Sequence, residues 1–104
     1  MAVITLTTDY GWRDPDSAGL RGRVYAEMLR TGSVAPVVDL THSVQSRNLN
    51  EAAYILRGAY RDFPEGSIHV VLVDSIYWPD TPLLACSLDG QFFLGLDNGI
   101  LAMI

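Results

Sequence analysis

Two aspartates stand directly behind apolar, β-rich runs: Asp9 closes ITLTTD and Asp74 closes IHVVLVD. A carboxylate at Asp9 can accept two hydrogen bonds from a vicinal diol. One at Asp74 can orient a water or stabilise a cationic ligand, and partial desolvation would raise its basicity. Each also has a structural reading, with Asp9 accepting backbone N–H groups and Asp74 starting an Asx-turn. His42, in DLTH, is either a general base by residue type or a loop residue bonding backbone. His69 lies inside an apolar run and reads as a core or interface residue. Tyr77 and Trp78 can stack on a flat ring or a sulfonium, or lid the sheet edge or meet another subunit. Asn98, within Asp97-Asn98-Gly99, reads as part of a tight turn from which its amide can also reach a ligand.

Several familiar chemistries have no motif here. DYGWR after the first apolar run lacks the G-x-G-x-x-G spacing of dinucleotide binders. No P-loop, paired-histidine metal motif or nucleophile elbow occurs.

The elements that must position these residues follow from periodicity. Val3–Thr8 alternates as a first strand, and Asp9–Ser17 is a polar loop containing Asp14-Pro15. From Ala18 to Arg30 apolar residues recur at Leu20, Val24 and Met28, with Tyr25 and Leu29 beside them, at helical spacing. Ser17 is the expected N-cap and Gly32 the expected stop. A second strand spans Val34–Leu40, with Asp39 near its end. THSVQSRN leads to a second helix from about Asn50, whose buried stripe is Ala52, Ile55, Leu56 and Ala59; Tyr60 to Gly66 closes it. Ile68–Val73 is apolar throughout, as a strand covered on both faces should be. Leu83–Leu88 and Gln91–Leu94 flank Asp89-Gly90, a strong short hairpin signal.

The order β-α-β-α-β followed by a hairpin predicts an α/β fold: a mainly parallel, Rossmann-like three-layer sheet with an antiparallel extension. Ligands in such sheets sit beyond the carboxyl ends of the strands. That rule selects Asp9, Thr41-His42 and Asp74.

Composition narrows the partners. The 104 residues are 49% hydrophobic and 18% charged, a globular profile of one domain. Seven arginines, no lysine and a net charge of −5 form no basic stripe, so nucleic acid is not expected. No apolar run approaches the ~18 residues of a membrane span, and no cationic amphipathic helix suggests a membrane surface. MAVITLTTDYG carries no signal-peptide pattern, and the single Cys86 reads as a small core residue. A reduced cytoplasmic setting and a small-molecule or protein partner are the expectations. The apolar ending DNGILAMI suggests the leading part of a larger protein.

Several separated segments, in order, resemble one family. ITLTTDYG, DLTH, NEAAYILRGAYRDFPEGSIHVVLVD and DGQFFLGLDNGIL are similar to the amino-terminal domain of the S-adenosylmethionine (SAM) hydroxide adenosyltransferases, or SAM hydrolases. That family includes the SAM-dependent chlorinases and fluorinases. The resemblance covers almost the whole chain. It implies that residues 1–104 lead a two-domain protein whose carboxyl-terminal β-barrel lies beyond them. It further implies a homotrimer with SAM bound between subunits, and water or hydroxide attacking the ribose 5′ carbon to give adenosine and methionine. SAM is then substrate, and no cofactor or metal is needed.

Carried over residue by residue, Asp9 matches the aspartate that holds the ribose hydroxyls. Asp74 matches the aspartate heading the family's D-P-G-V-G-T-x-R-R loop, in the set proposed to position the water. The set's histidine lies beyond this chain and is not His42. After Asp74 the chain reads SIYWPDTPLL, so the Pro-Gly-Val-Gly segment is absent, and Thr81 and Pro82 stand where the arginines would fall. That departure keeps a second function open, a non-catalytic SAM- or adenosine-binding or assembly module. A halogenase is a distant third, because an aspartate at the nucleophile position repels halide. By itself the 104-residue chain is expected to be inactive, since half of the implied pocket is elsewhere.

Overall fold

The computed structural model describes residues 2–73 and 82–104. Asp74, Tyr77 and Trp78 therefore lie outside the described residues. Five strands form one sheet: β1 (Ile4–Thr8), β2 (Val37–Thr41), β3 (Ile68–Leu72), β4 (Leu83–Leu88) and β5 (Gln91–Leu96), in the spatial order β2-β1-β3-β5-β4. All pairings are parallel except β4 against β5. The predicted α/β architecture, parallel sheet and hairpin are all present.

The hairpin follows from its turn. Asp89 and Gly90 both take positive φ, 54° and 76°, as a two-residue loop requires for strands of right-handed twist. Parallel pairing of β5 with β3 then carries its carboxyl end, and the Asp97-Asn98 turn, to the edge where β1, β2 and β3 end.

Alternation sorts the sheet into two faces. Thr5, Thr7, His69, Val71 and Phe93 point to the face covered by α2 (Leu49–Ala59). There Val44, Ala52, Ala53, Leu56, Val71, Val73 and Ile100 form the buried apolar cluster. Of the predicted stripe, Ala52 and Leu56 are fully buried and Ile55 and Ala59 half-buried, while Ala53 joins the core in addition. Ile4, Leu6, Thr8 and Asp39 point to the other face, which carries α1 (Asp16–Thr31). Helix α1 buries little: only Ser17 and Met28 are buried, and Leu29 remains 83% exposed.

Some sequence expectations need correction. Ser17 is not the N-cap: Pro15 holds that position, and the Gly19 N–H already donates to the Pro15 carbonyl at 2.8 Å. Proline has its φ preset and no N–H to satisfy, so the first turn can start on it, leaving Ser17 buried one residue inside. Strand β2 begins at Val37 and not Val34, because Pro36 cannot donate to a ladder; its carbonyl still accepts from Ile4 N at 3.0 Å. Cys86 is exposed, since every residue of the edge strand β4 is exposed. Gly32 does end α1, in the left-handed conformation at φ 77°.

Candidate functional site

Four strands end along one edge, and three of the residues singled out from sequence stand on it within the described chain. Asp9 follows β1, His42 follows β2 and Asn98 follows β5. Asn98 spends its amide on the fold. Its Nδ2 donates to the Val73 carbonyl at 3.1 Å, and its Oδ1 accepts from Ile100 N at 3.2 Å. Those bonds tie the end of β5 to the end of β3, and Oδ1 keeps a second lone pair.

Asp9 is half-buried in a turn sewn to the loop after β2. Gly11 N donates to the His42 carbonyl at 2.7 Å, and Val44 N to the Thr8 carbonyl at 3.4 Å. The Asp9 carboxylate accepts from Arg47 N at 3.3 Å. Arg47 reaches it from a left-handed backbone at φ 63°, uncommon for a residue with a side chain. The loop is anchored where α2 starts: Asn48 caps by accepting from Glu51 N at 3.0 Å, and Glu51 accepts from Gln45 N at 3.0 Å. This is a variant of the reciprocal capping box, with the glutamate reaching three residues further back than the cap. A cleft of about 340 Å³ opens beside the Asp9 turn, lined by Tyr10, Pro15, Asp16, Gly19, Leu20 and Arg23.

Behind Asp9 runs a chain of hydrogen bonds that ends in an ion pair. Tyr10 N donates to Thr8 Oγ1 at 3.2 Å, and Thr8 Oγ1 lies 2.6 Å from His42 Nδ1. His42 Nε2 lies 2.7 Å from Asp39 Oδ1, and Arg21 of α1 donates to Asp39 Oδ2 at 2.7 Å. Burial works to raise the Asp39 pKa, but the bonds from His42 and Arg21 and the Arg21 charge outweigh it, holding the carboxyl below its ordinary value. An ionised Asp39 can only accept, so His42 Nε2 carries a proton, and in the neutral ring Nδ1 accepts from the Thr8 hydroxyl. Every link from Tyr10 to Asp39 then runs in one direction. Trp12 seals the ring edge-on, 4.7 Å between centroids, and its Nε1 donates to Ser43 Oγ at 2.9 Å.

His42 is fully buried with both ring nitrogens engaged by side chains. It is therefore neither an open general base nor the backbone-bonding loop residue that its position suggests. Asp39, Arg21 and Thr8 escaped the reading from sequence for a specific reason. Three residues apart on a regular strand, Asp39 and His42 would face opposite sides. The register slips between Leu6↔Asp39 and Thr7↔Thr41, so one extra residue on β2 turns His42 back to the Asp39 side. No local sequence signal announces that slip. Among the described residues no group of three or more histidines, cysteines and carboxylates converges as a metal site, and no helix is long and apolar enough to cross a membrane.

Comparison with known proteins places this geometry in a family. The model of the SAM hydroxide adenosyltransferase N-terminal domain matches residues 4–104. The chain is 27% identical over 103 residues to an (R)-S-adenosyl-L-methionine hydrolase of Methanocaldococcus jannaschii, covering 98% of this chain and 39% of that protein. It is 29% identical over 98 residues to one of Salinispora arenicola, covering 94% and 36%. Among solved structures, a conserved hypothetical protein from Thermus thermophilus superposes with a TM-score of 0.76 at 28% identity, covering 99% of this chain and 41% of its own. An uncharacterized conserved protein from Thermotoga maritima gives 0.75 at 28% identity, covering 95% and 37%. The chain thus spans about two-fifths of the length of these relatives.

Proposed function

The chain belongs to the SAM hydroxide adenosyltransferase family through its N-terminal domain, and from that premise we propose that it contributes to SAM hydrolysis as the leading domain of a two-domain protein. Water attacks the ribose 5′ carbon, losing its proton either beforehand (as hydroxide) or after attack, and the C5′–S bond breaks with its electron pair going to sulfur. Adenosine and methionine result. The sulfonium already supplies the electrophile, so the protein's task is alignment and desolvation of the nucleophile.

The observation that carries this reading is Asp9, a carboxylate that follows β1 at the carboxyl edge of a parallel sheet and accepts from the Arg47 N–H. In this reading Asp9 accepts from the two ribose hydroxyls and Asp74 orients the water. Tyr77 and Trp78 pack on the adenosyl group, and Asn98 offers its second Oδ1 lone pair to the ligand. The pocket is completed by a carboxyl-terminal β-barrel in a cytoplasmic homotrimer. Incubation of the complete protein with SAM, followed by chromatography, should show adenosine above an enzyme-free blank; a trace equal to the blank would remove the hydrolase reading. Asp9→Ala should weaken adenosine binding by about tenfold or more, tenfold being the worth of a single charge-assisted hydrogen bond, with little change in melting temperature.

A second reading, a module that binds SAM or adenosine without turnover, is favoured by SIYWPDTPLL after Asp74, which supplies no arginine. Binding by calorimetry with no adenosine formed would select it.

A further inference from the structure

From the one-directional chain Tyr10 N–H to Thr8 to His42 to Asp39, anchored at its far end by Arg21, we propose that His42 is a positioning residue for the Asp9 turn, setting ligand affinity through Thr8. The proposal rests on the reading that Asp9 holds a ribose.

The residue before Asp9 is held through its hydroxyl, and the residue after it through its amide, by the same oxygen, Thr8 Oγ1. A threonine hydroxyl rotates freely about its C–O bond unless an acceptor fixes the hydrogen. His42 Nδ1, at 2.6 Å and fully buried, is that acceptor, so the Thr8 lone pairs stay turned toward Tyr10 N. The ring in turn cannot rotate, because Asp39 holds Nε2 and Trp12 stands edge-on against it. Asp39 is itself fixed by Arg21 from α1. The groups facing His42 are thus Thr8 from β1, Asp39 from its own strand, and Trp12 from the connecting loop. The Asp9 turn is fastened a second time by Gly11 N to the His42 carbonyl. One residue therefore holds the turn by its ring and its backbone, and only the ring contribution can be removed by substitution. A ligand that needs two oxygens of Asp9 at fixed spacing loses affinity when the turn can rotate, since the ordering must then happen on binding.

The test separates the two ends of the ring. The amide of an asparagine reaches as far as Nδ1 and can accept from Thr8; that of a glutamine reaches as far as Nε2 and can only serve Asp39. In the complete protein, Thr8→Val and His42→Gln should each weaken adenosine binding about tenfold by calorimetry, while His42→Asn stays within about threefold of wild type. With SAM as substrate the loss should fall on KM, with kcat within about twofold. Hydrogen exchange at the Tyr10 amide should speed up in Thr8→Val and His42→Gln and stay slow in His42→Asn. If His42→Gln does not fold, Thr8→Val against Thr8→Ser gives the same contrast. Equal losses for His42→Asn and His42→Gln, or a fall in melting temperature at unchanged affinity, would overturn the positioning role. Should the wild-type protein neither bind adenosine nor consume SAM, the functional reading fails, and the Tyr10 exchange pattern alone decides whether His42 fixes the turn.

Discussion

His42 and His69 each lie 2.6 Å, through Nδ1, from a threonine hydroxyl of β1, Thr8 and Thr5 respectively, and both rings are fully buried. They differ at the other nitrogen. His42 Nε2 meets the Asp39 carboxylate, which carries Arg21, at the carboxyl end of the sheet on the α1 face. His69 Nε2 meets the Gln91 amide oxygen at 2.5 Å, near the amino end on the α2 face, and Gln91 Nε2 passes the chain on to the Phe63 carbonyl at 3.1 Å. Around His69 stand the rings of Tyr60, Phe63 and Phe93. One histidine thus joins a charged network at the carboxyl edge of the sheet, and the other joins a neutral network inside an aromatic core. The same residue type and the same first contact serve the sheet edge in one place and the core in the other. What decides between them is the partner at Nε2 and the end of the strand on which it sits.

The largest effect should come from breaking the core network. His69→Ala leaves Thr5 and Gln91 without their partner and opens a cavity among three aromatic rings, which should cost about 3 kcal/mol of unfolding free energy. Denaturant unfolding measures that loss, and ligand affinity of the folded fraction should not follow it. Burial lowers the His69 pKa below its ordinary 6.5, with the Gln91 bond opposing. Below pH 6.5 the unfolded chain therefore takes up a proton that the folded ring refuses, and stability falls as pH falls. Melting temperatures from about pH 7.5 down to about 5.5 should show that decline, flattened in His69→Gln.

A smaller effect is expected at the charged network. Asp39→Asn keeps the shape but removes the counter-charge of Arg21, and should cost about 1.5 kcal/mol, with α1 amides exchanging faster. The Asp39 pKa is lowered in the fold, so its contribution is present above its ordinary 3.8 and is lost as pH falls below that value. The His69 and Asp39 contributions are therefore lost in separate pH windows, that of His69 first. A single acid transition moved equally by both substitutions would erase the distinction.

The smallest effect calibrates the others. Cys86 is exposed on β4 and belongs to neither network, so Cys86→Ser should change stability by less than about 0.5 kcal/mol. A larger loss would mean that the edge strand carries more of the fold than its exposure indicates.

Legibility in the sequence followed the range of the interactions. The hairpin at Asp89-Gly90, the stop at Gly32 and the apolar run of β3 were readable because a two- to six-residue pattern decides each of them. So was the placing of Asp9 and the DLTH segment at strand ends, which needs only the order of elements and the parallel-sheet rule. The N-cap at Pro15 and the late start of β2 rest on prolines that periodicity alone passes over. The exposure of Cys86 was not readable, because it turns on whether a layer covers the edge strand. Asn98 shows the boundary within a single residue: its turn was legible, and the use of its amide to join β5 to β3 was not.

By itself, then, the sequence determined the α/β order, the family resemblance and the edge on which Asp9 and His42 stand, because period, turn residues and chain order are local properties. Tertiary structure decided which polar groups meet. A one-residue slip of β2 against β1 brought Asp39, His42, Thr8 and Arg21 into one line. Strand pairing across the sheet likewise gave His69 its amide partner from β5. The strand-to-strand contacts of the two histidines with Thr8, Thr5 and Gln91 join residues 22 to 64 positions apart along the chain, and only the register between strands fixes those.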